Sequence, residues 1–92
     1  MDHEEQSDFL RAMAHPVRLK MVKGLMSNEC NVNSIVEKLG LPQSTVSQHL
    51  GILRRSGIIA AKKEGVRTCY RVVDKRAREL IRMLKRSEGP RS

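Results

Sequence analysis

The order of apolar and polar residues along the chain predicts five helices and one β-hairpin. Apolar residues recur at helical spacing within residues 9–13, 17–26, 32–39, 46–53 and 77–84, so each segment has one apolar face. His15 and Pro16 separate the first two helices, because the residue before a proline avoids helical conformation and proline suits a first turn. The second apolar stripe is wide, which predicts a central helix.

Shorter signals place the ends of the elements. Ser34 and Glu37 are spaced as a capping box for the third helix. The segments IIAAKK and TCYRVV flank Glu64 and Gly65, which predicts a hairpin around a glycine turn. We therefore expect one domain over residues 1–92, mostly α with a small β-hairpin wing, in the winged helix-turn-helix order α-α-α-α-β-β-α.

The fourth predicted helix has an outward face suited to reading DNA. Val46, Leu50 and Leu53 share its inner face, which turns small hydroxyl and amide side chains and Arg55 outward. Glutamine can bond an adenine edge, and serine or threonine can bond several base edges or phosphates. Serine and glutamine are also common on any solvated helix, so the composition of this face alone leaves both interpretations open.

The charge distribution points to a polyanionic partner. The net charge is +8, and residues 54–92 hold thirteen Lys/Arg against four Asp/Glu. Nucleic acid or an anionic membrane would fit, but apolar runs such as residues 57–61 are too short to span a bilayer, and the acidic start is unlike a signal peptide. We expect a cytoplasmic protein. Lys62, Lys63 and Arg67 flank the hairpin tip, where they would either contact phosphates or protect a strand edge.

Three segments make this sequence resemble the ArsR/SmtB family of bacterial winged-helix repressors. They are LRAMAHPVRLKMV at 10–22, LPQSTVSQHLGILRRSGII at 41–59 and EGVRTCYRV at 64–72. The resemblance implies a homodimer that binds an imperfect palindrome of double-stranded DNA and leaves it when an inducer arrives. It implies base-reading positions at Gln43, Ser44, Thr45, Ser47, Gln48 and His49, with Lys63 and Arg67 on the wing.

The first and last helices are the expected dimer interface. The resemblance implies this, and the thin core of so short a chain favours a second copy as a partner. The apolar residues that we assign to the interface are Phe9, Leu10, Met13, Ala77, Leu80, Ile81 and Leu84.

The sequence departs from the family at its metal-sensing positions. Asn31 and Asn33 stand where metal-sensing members carry cysteines, and the last helix keeps Asp74 but has no histidine. We therefore expect no metal site and no cofactor, and we interpret His15 as a helix cap or a surface residue.

The two cysteines are the remaining candidates for sensing. A short strand over residues 29–32 would pair with the second hairpin strand and bring Cys30 towards Cys69, with the register left open. If Tyr70 and Val72 face the core, Cys69 faces the other way. The two cysteines are then either a redox pair, which nearby cations would activate, or two ordinary small side chains.

Two rival functions remain beside the repressor. A winged helix could bind RNA or a protein partner through its basic last helix, without sensing anything. A thiol enzyme finds little support, because the sequence has no Cys-x-x-Cys and no histidine near either cysteine. We expect no enzyme.

Overall fold

The helices and strands begin and end close to where the apolar pattern places them. A computed structural model of the chain describes residues 2–27 and 32–87. Its elements are α1 (His3–Met13), α2 (Pro16–Ser27), α3 (Val32–Leu39), α4 (Gln43–Arg55), β1 (Ile59–Glu64), β2 (Arg67–Val72) and α5 (Lys75–Ser87). This order confirms the predicted winged-helix fold. The predicted capping box is wrong, because Ser34 lies inside α3 and an N-cap residue precedes the helix.

The second helix is the centre of the core, as its wide apolar stripe predicts. Met21, Val22 and Leu25 have no exposed surface, and α2 contacts α1, α3, α4, α5 and β2. Fully burying an aliphatic side chain of this size stabilises a fold by about 1.5–3 kcal/mol. The neighbouring helices are therefore held mainly through α2.

The connection between α1 and α2 is capped by His15. Its Nδ1 accepts a hydrogen bond from the backbone N–H of Val17 at 3.1 Å, which confirms the interpretation of His15 as a helix cap. The cap supplies an acceptor to one of the first backbone N–H groups of α2, which have no partner inside the helix.

Gly57 follows the end of α4 and directs the chain into the wing. Gly57 has a φ of +75°, its N–H donates to the carbonyl of Arg54, and the N–H of Ile58 donates to the carbonyl of Leu53. This bonding pattern is the Schellman motif, which favours glycine at the left-handed position. Ile58 is then fully buried, so the start of the wing is fixed relative to α4.

The wing is a two-stranded antiparallel hairpin within the described part of the chain. Its register pairs Ile59 with Val72 and Glu64 with Arg67. Positive φ occurs at Gly65 and not at Val66, which fits the two-residue type II′ turn. The short strand expected over residues 29–32 falls outside the described residues, apart from Val32, which begins α3.

No helix in residues 2–27 and 32–87 combines the length and the apolar character that crossing a bilayer requires.

Candidate nucleic-acid interface

The face of α4 that was predicted to read bases is largely exposed. Val46 and Leu53 are completely buried and Leu50 packs against the core, so these three residues fix which side of the helix faces outward. The exposed polar residues on that side are Gln43, Ser44, Ser47, Gln48 and Arg55, while Thr45 is half-buried. Pro42 provides no side-chain cap for α4. The first-turn N–H groups are therefore available to water or to a phosphate oxygen.

Arg55 folds back along α4 over a position without a side chain. A Cβ built at Gly51 would lie only 3.1 Å from Nη1 of Arg55. Gly51 therefore makes room for this guanidinium, which holds a cation close to the exposed polar face.

The cations of the wing lie on both of its faces. Lys62, Lys63 and Arg67 are all exposed. The strand register places Lys62 and Arg67 on one face and Lys63 on the other, the face that continues into the core through Ile59. Each face therefore presents positive charge near the hairpin tip, and lysine and arginine are residues that contact phosphates.

His49 differs from the other predicted base-reading residues because it is engaged inside the protein. Its Nδ1 lies 3.1 Å from Nη1 of Arg18, and its ring centroid lies 4.6 Å from that of His15. Burial, together with the neighbouring His15 ring and the positive charge of Arg18, lowers the pKa of His49. No pattern in the sequence indicated the contact with Arg18, which is 31 residues away.

Comparison with known proteins identifies the family. The model of the arsR family of bacterial regulatory proteins matches residues 15–61, a span that contains α2, α3, α4 and the start of β1. The chain belongs to the arsR family. The expectation from the sequence is confirmed, and the chain is a winged-helix, DNA-binding transcriptional repressor of this family.

Several relatives in the arsR family match over most of their length. The transcriptional repressor PagR of Bacillus anthracis is 36% identical over 85 residues, covering 91% of this chain and 85% of PagR. A biofilm growth-associated repressor of Xylella fastidiosa is 35% identical over 80 residues, covering 87% of this chain and 70% of that repressor. The structure of reduced HlyU from Vibrio cholerae superimposes with a TM-score of 0.85 at 32% identity, covering 95% of this chain and 92% of HlyU.

Asp74, which the family resemblance linked to metal binding, immediately precedes α5. Its Oδ1 accepts from the backbone N–H groups of Arg76 at 2.7 Å and Ala77 at 3.2 Å, and its Oδ2 accepts from Nη2 of Arg76 at 2.9 Å. The hydrogen bond from the Arg76 side chain is the main cause that lowers the pKa of Asp74. Asp74 is therefore an N-cap. In the described residues, no three His, Cys, Asp or Glu side chains are grouped so that they could hold a metal ion.

Cys69 lies on the side of β2 away from the main core. Val72 belongs to the core and Tyr70 packs against it, so strand alternation turns Cys69 to the opposite face, which Lys62 shares. Cys69 is only 3% exposed and is disulfide-bonded in the structure. The chain has one other cysteine, Cys30, which lies outside the described residues.

The residues assigned to the dimer interface divide into two sets. Phe9, Met13, Ala77 and Ile81 are already buried by their own chain, whereas Leu10 is 54% exposed and Leu80 and Leu84 are half-buried. A surface cavity of about 210 Å³ adjoins the second set, and all of its lining residues are apolar: Leu10, Met13, Ala14, Leu19, Leu80 and Leu84. We call this surface the α1–α5 groove.

Proposed function

We propose that this repressor acts in the cytoplasm as a homodimer on an imperfect palindrome in its own promoter. One domain supplies both DNA binding and dimerisation, and no catalytic step is involved. Each α4 lies in a major groove, the exposed polar face reads bases, and the wing cations contact phosphates. The observation that carries this proposal is the exposed face of α4 beside the cationic wing.

The two parts of the interface are expected to contribute differently to binding. Base-edge hydrogen bonds depend on sequence, so Gln48 and its neighbours supply specificity. Phosphate contacts of Lys62, Lys63 and Arg67 are independent of sequence and release counterions, so they supply affinity that falls with salt. Arg55, held beside the polar face, adds to the second contribution.

The α1–α5 groove supports dimerisation through the first and last helices. Leu10, which lines this groove, is 54% exposed. A second copy of the chain would cover this surface with its own equivalent residues across a twofold axis. The palindromic operator follows from the same symmetry.

Release from DNA is proposed to follow oxidation or persulfidation of Cys30 and Cys69, and not metal binding. Oxidation removes two electrons and two protons from two thiols and joins their sulfur atoms, whereas persulfidation adds a sulfur atom to a thiol. The disulfide at Cys69 supports this proposal. So does the position of Cys69 in β2, because a change there acts on the wing directly.

A gel-shift assay with the DNA upstream of the protein's own coding sequence tests the proposal. The reduced protein is expected to retard this DNA, and diamide or a persulfide donor is expected to release it, with recovery in dithiothreitol. Methionine oxidation would not recover in this way. Zinc and arsenite are expected to have no effect. A Cys69→Ser variant that leaves the DNA on oxidation as the parent does would exclude this pair as the switch.

A further inference from the structure

We propose that Arg18 is a positioning residue that fixes the recognition helix α4 to the end of α1 through neutral His49, so that acidification releases α4 and weakens DNA binding. This assignment rests on the proposed function, in which the exposed face of α4 contacts DNA. It concerns how that face is held in place and adds no new contact to the operator.

The guanidinium of Arg18 joins two helices that are distant in sequence. Its Nε donates to the carbonyl of Ala12 at 2.5 Å and its Nη2 donates to the carbonyl of Arg11 at 3.3 Å. Both carbonyls belong to the last turn of α1, where they have no partner inside the helix. Its Nη1 reaches Nδ1 of His49 on α4 at 3.1 Å. The planar fork of arginine can serve these acceptors together, whereas the single ammonium of lysine cannot match this geometry.

The contact requires His49 to be neutral. A guanidinium has donors and no acceptor, so Nδ1 of His49 must act as the acceptor and its proton must be on Nε2. Protonation would place an N–H against an N–H and a second positive charge beside Arg18. The bond between Arg18 and α4 is then lost.

The surroundings of His49 oppose its protonation. Arg18 faces the ring from α2 and His15 faces it from the α1–α2 connection. On α4 itself, the residues one turn away are Thr45 and Leu53, which carry no charge. Burial, the neighbouring His15 ring and the positive charge of Arg18 lower the pKa of His49 below its ordinary value, so the neutral form prevails at neutral pH and protonation requires acidification.

Operator binding as a function of pH distinguishes this device from ordinary electrostatics. Added positive charge alone would strengthen binding to DNA as pH falls. We expect the opposite for the wild type. Losing a charge-assisted hydrogen bond that holds α4 should weaken binding about tenfold once His49 is protonated. The probe is a fluorescent duplex of about 30 base pairs, long enough for two half-sites, selected from random sequence by the wild-type protein at neutral pH.

Four variants separate the roles of the residues. His49→Asn keeps an acceptor near the position of Nδ1 but cannot be protonated, so its operator binding should no longer fall as the pH is lowered. Arg18→Lys keeps the charge and loses the fork, so it should bind about tenfold more weakly at neutral pH, with little pH dependence. His15→Asn should still show operator binding that weakens as the pH is lowered. Arg11→Lys is the matched control, because the Arg11 side chain pairs with Asp8 at the surface, and it should behave as the wild type.

Imidazole nitrogen NMR of the free protein gives a readout that does not depend on DNA. We expect His49 at neutral pH to carry its proton on Nε2, with Nδ1 accepting a hydrogen bond that Arg18→Lys removes. A proton on Nδ1 would overturn the proposal, as would an acid-side fall that persists in His49→Asn or vanishes in His15→Asn. A wild type with no preference for the selected duplex over a scrambled one would instead refute the proposed function, and NMR would still decide the role of Arg18.

Discussion

Replacing Asp74 with alanine should destabilise the protein measurably. The carboxylate accepts two backbone N–H bonds at the start of α5, and its side chain is only 12% exposed. Removing an N-cap acceptor costs about 1–2 kcal/mol of the free energy of unfolding. For a domain of this length, that loss lowers Tm by about 5–15 °C.

Thermal unfolding by circular dichroism, at one fixed protein concentration, measures this effect, since a dimer has a concentration-dependent Tm. Asp74→Asn should cost less than Asp74→Ala, because asparagine also caps helices and only the charge is lost. Asp8→Ala is the matched control. Asp8 pairs with Arg11 at side-chain exposures of 72% and 76%, and such a pair is worth less than about 1 kcal/mol. Equal losses in Asp74→Ala and Asp8→Ala would refute the assignment of Asp74 as a cap.

The same carboxylate should make stability depend on pH in acid. Hydrogen bonding from Arg76 holds the pKa of Asp74 below its value in the unfolded chain. Its contribution is therefore complete above the unfolded pKa of about 4 and is lost as pH falls through the folded pKa. Urea titrations at descending pH should show this loss in the wild type and a smaller one in Asp74→Asn.

Four further substitutions test the DNA interface, the dimer and the link to the wing. Gln48→Ala should lose about 1–3 kcal/mol of binding free energy on the operator and much less on random DNA. Arg67→Ala should weaken binding to both DNAs, and anisotropy titrations should show a dependence of affinity on salt that is smaller by about one unit of slope. Leu80→Glu should yield monomers by analytical ultracentrifugation and abolish operator binding; a variant that stays dimeric would contradict the role of the α1–α5 groove. Gly57→Ala should lower the free energy of unfolding in urea by about 1–2 kcal/mol, because a left-handed φ is strained in alanine. The added Cβ would have no neighbouring atom within 4 Å to compensate for this strain.

The apolar pattern determined the elements and the orientation of α4. Residues one helical turn apart lie on one face whatever surrounds them, so Val46 and Leu53 settle which side of α4 is exposed. The hairpin could be predicted for a similar reason, since a glycine turn between two β-branched segments is a local signal. These features depend on residues close together in the sequence.

The tertiary structure decided which neighbour covers each face. The sequence could group Phe9, Leu10 and Ile81 as apolar interface residues, but only packing showed that Phe9 and Ile81 are buried within one chain while Leu10 stays exposed. The bond between Arg18 and His49 joins residues that are 31 positions apart. It produces no periodic pattern in the sequence, because it joins two single side chains and not two helix faces. Periodicity specifies the direction in which a side chain points, and the folded chain alone specifies what it meets.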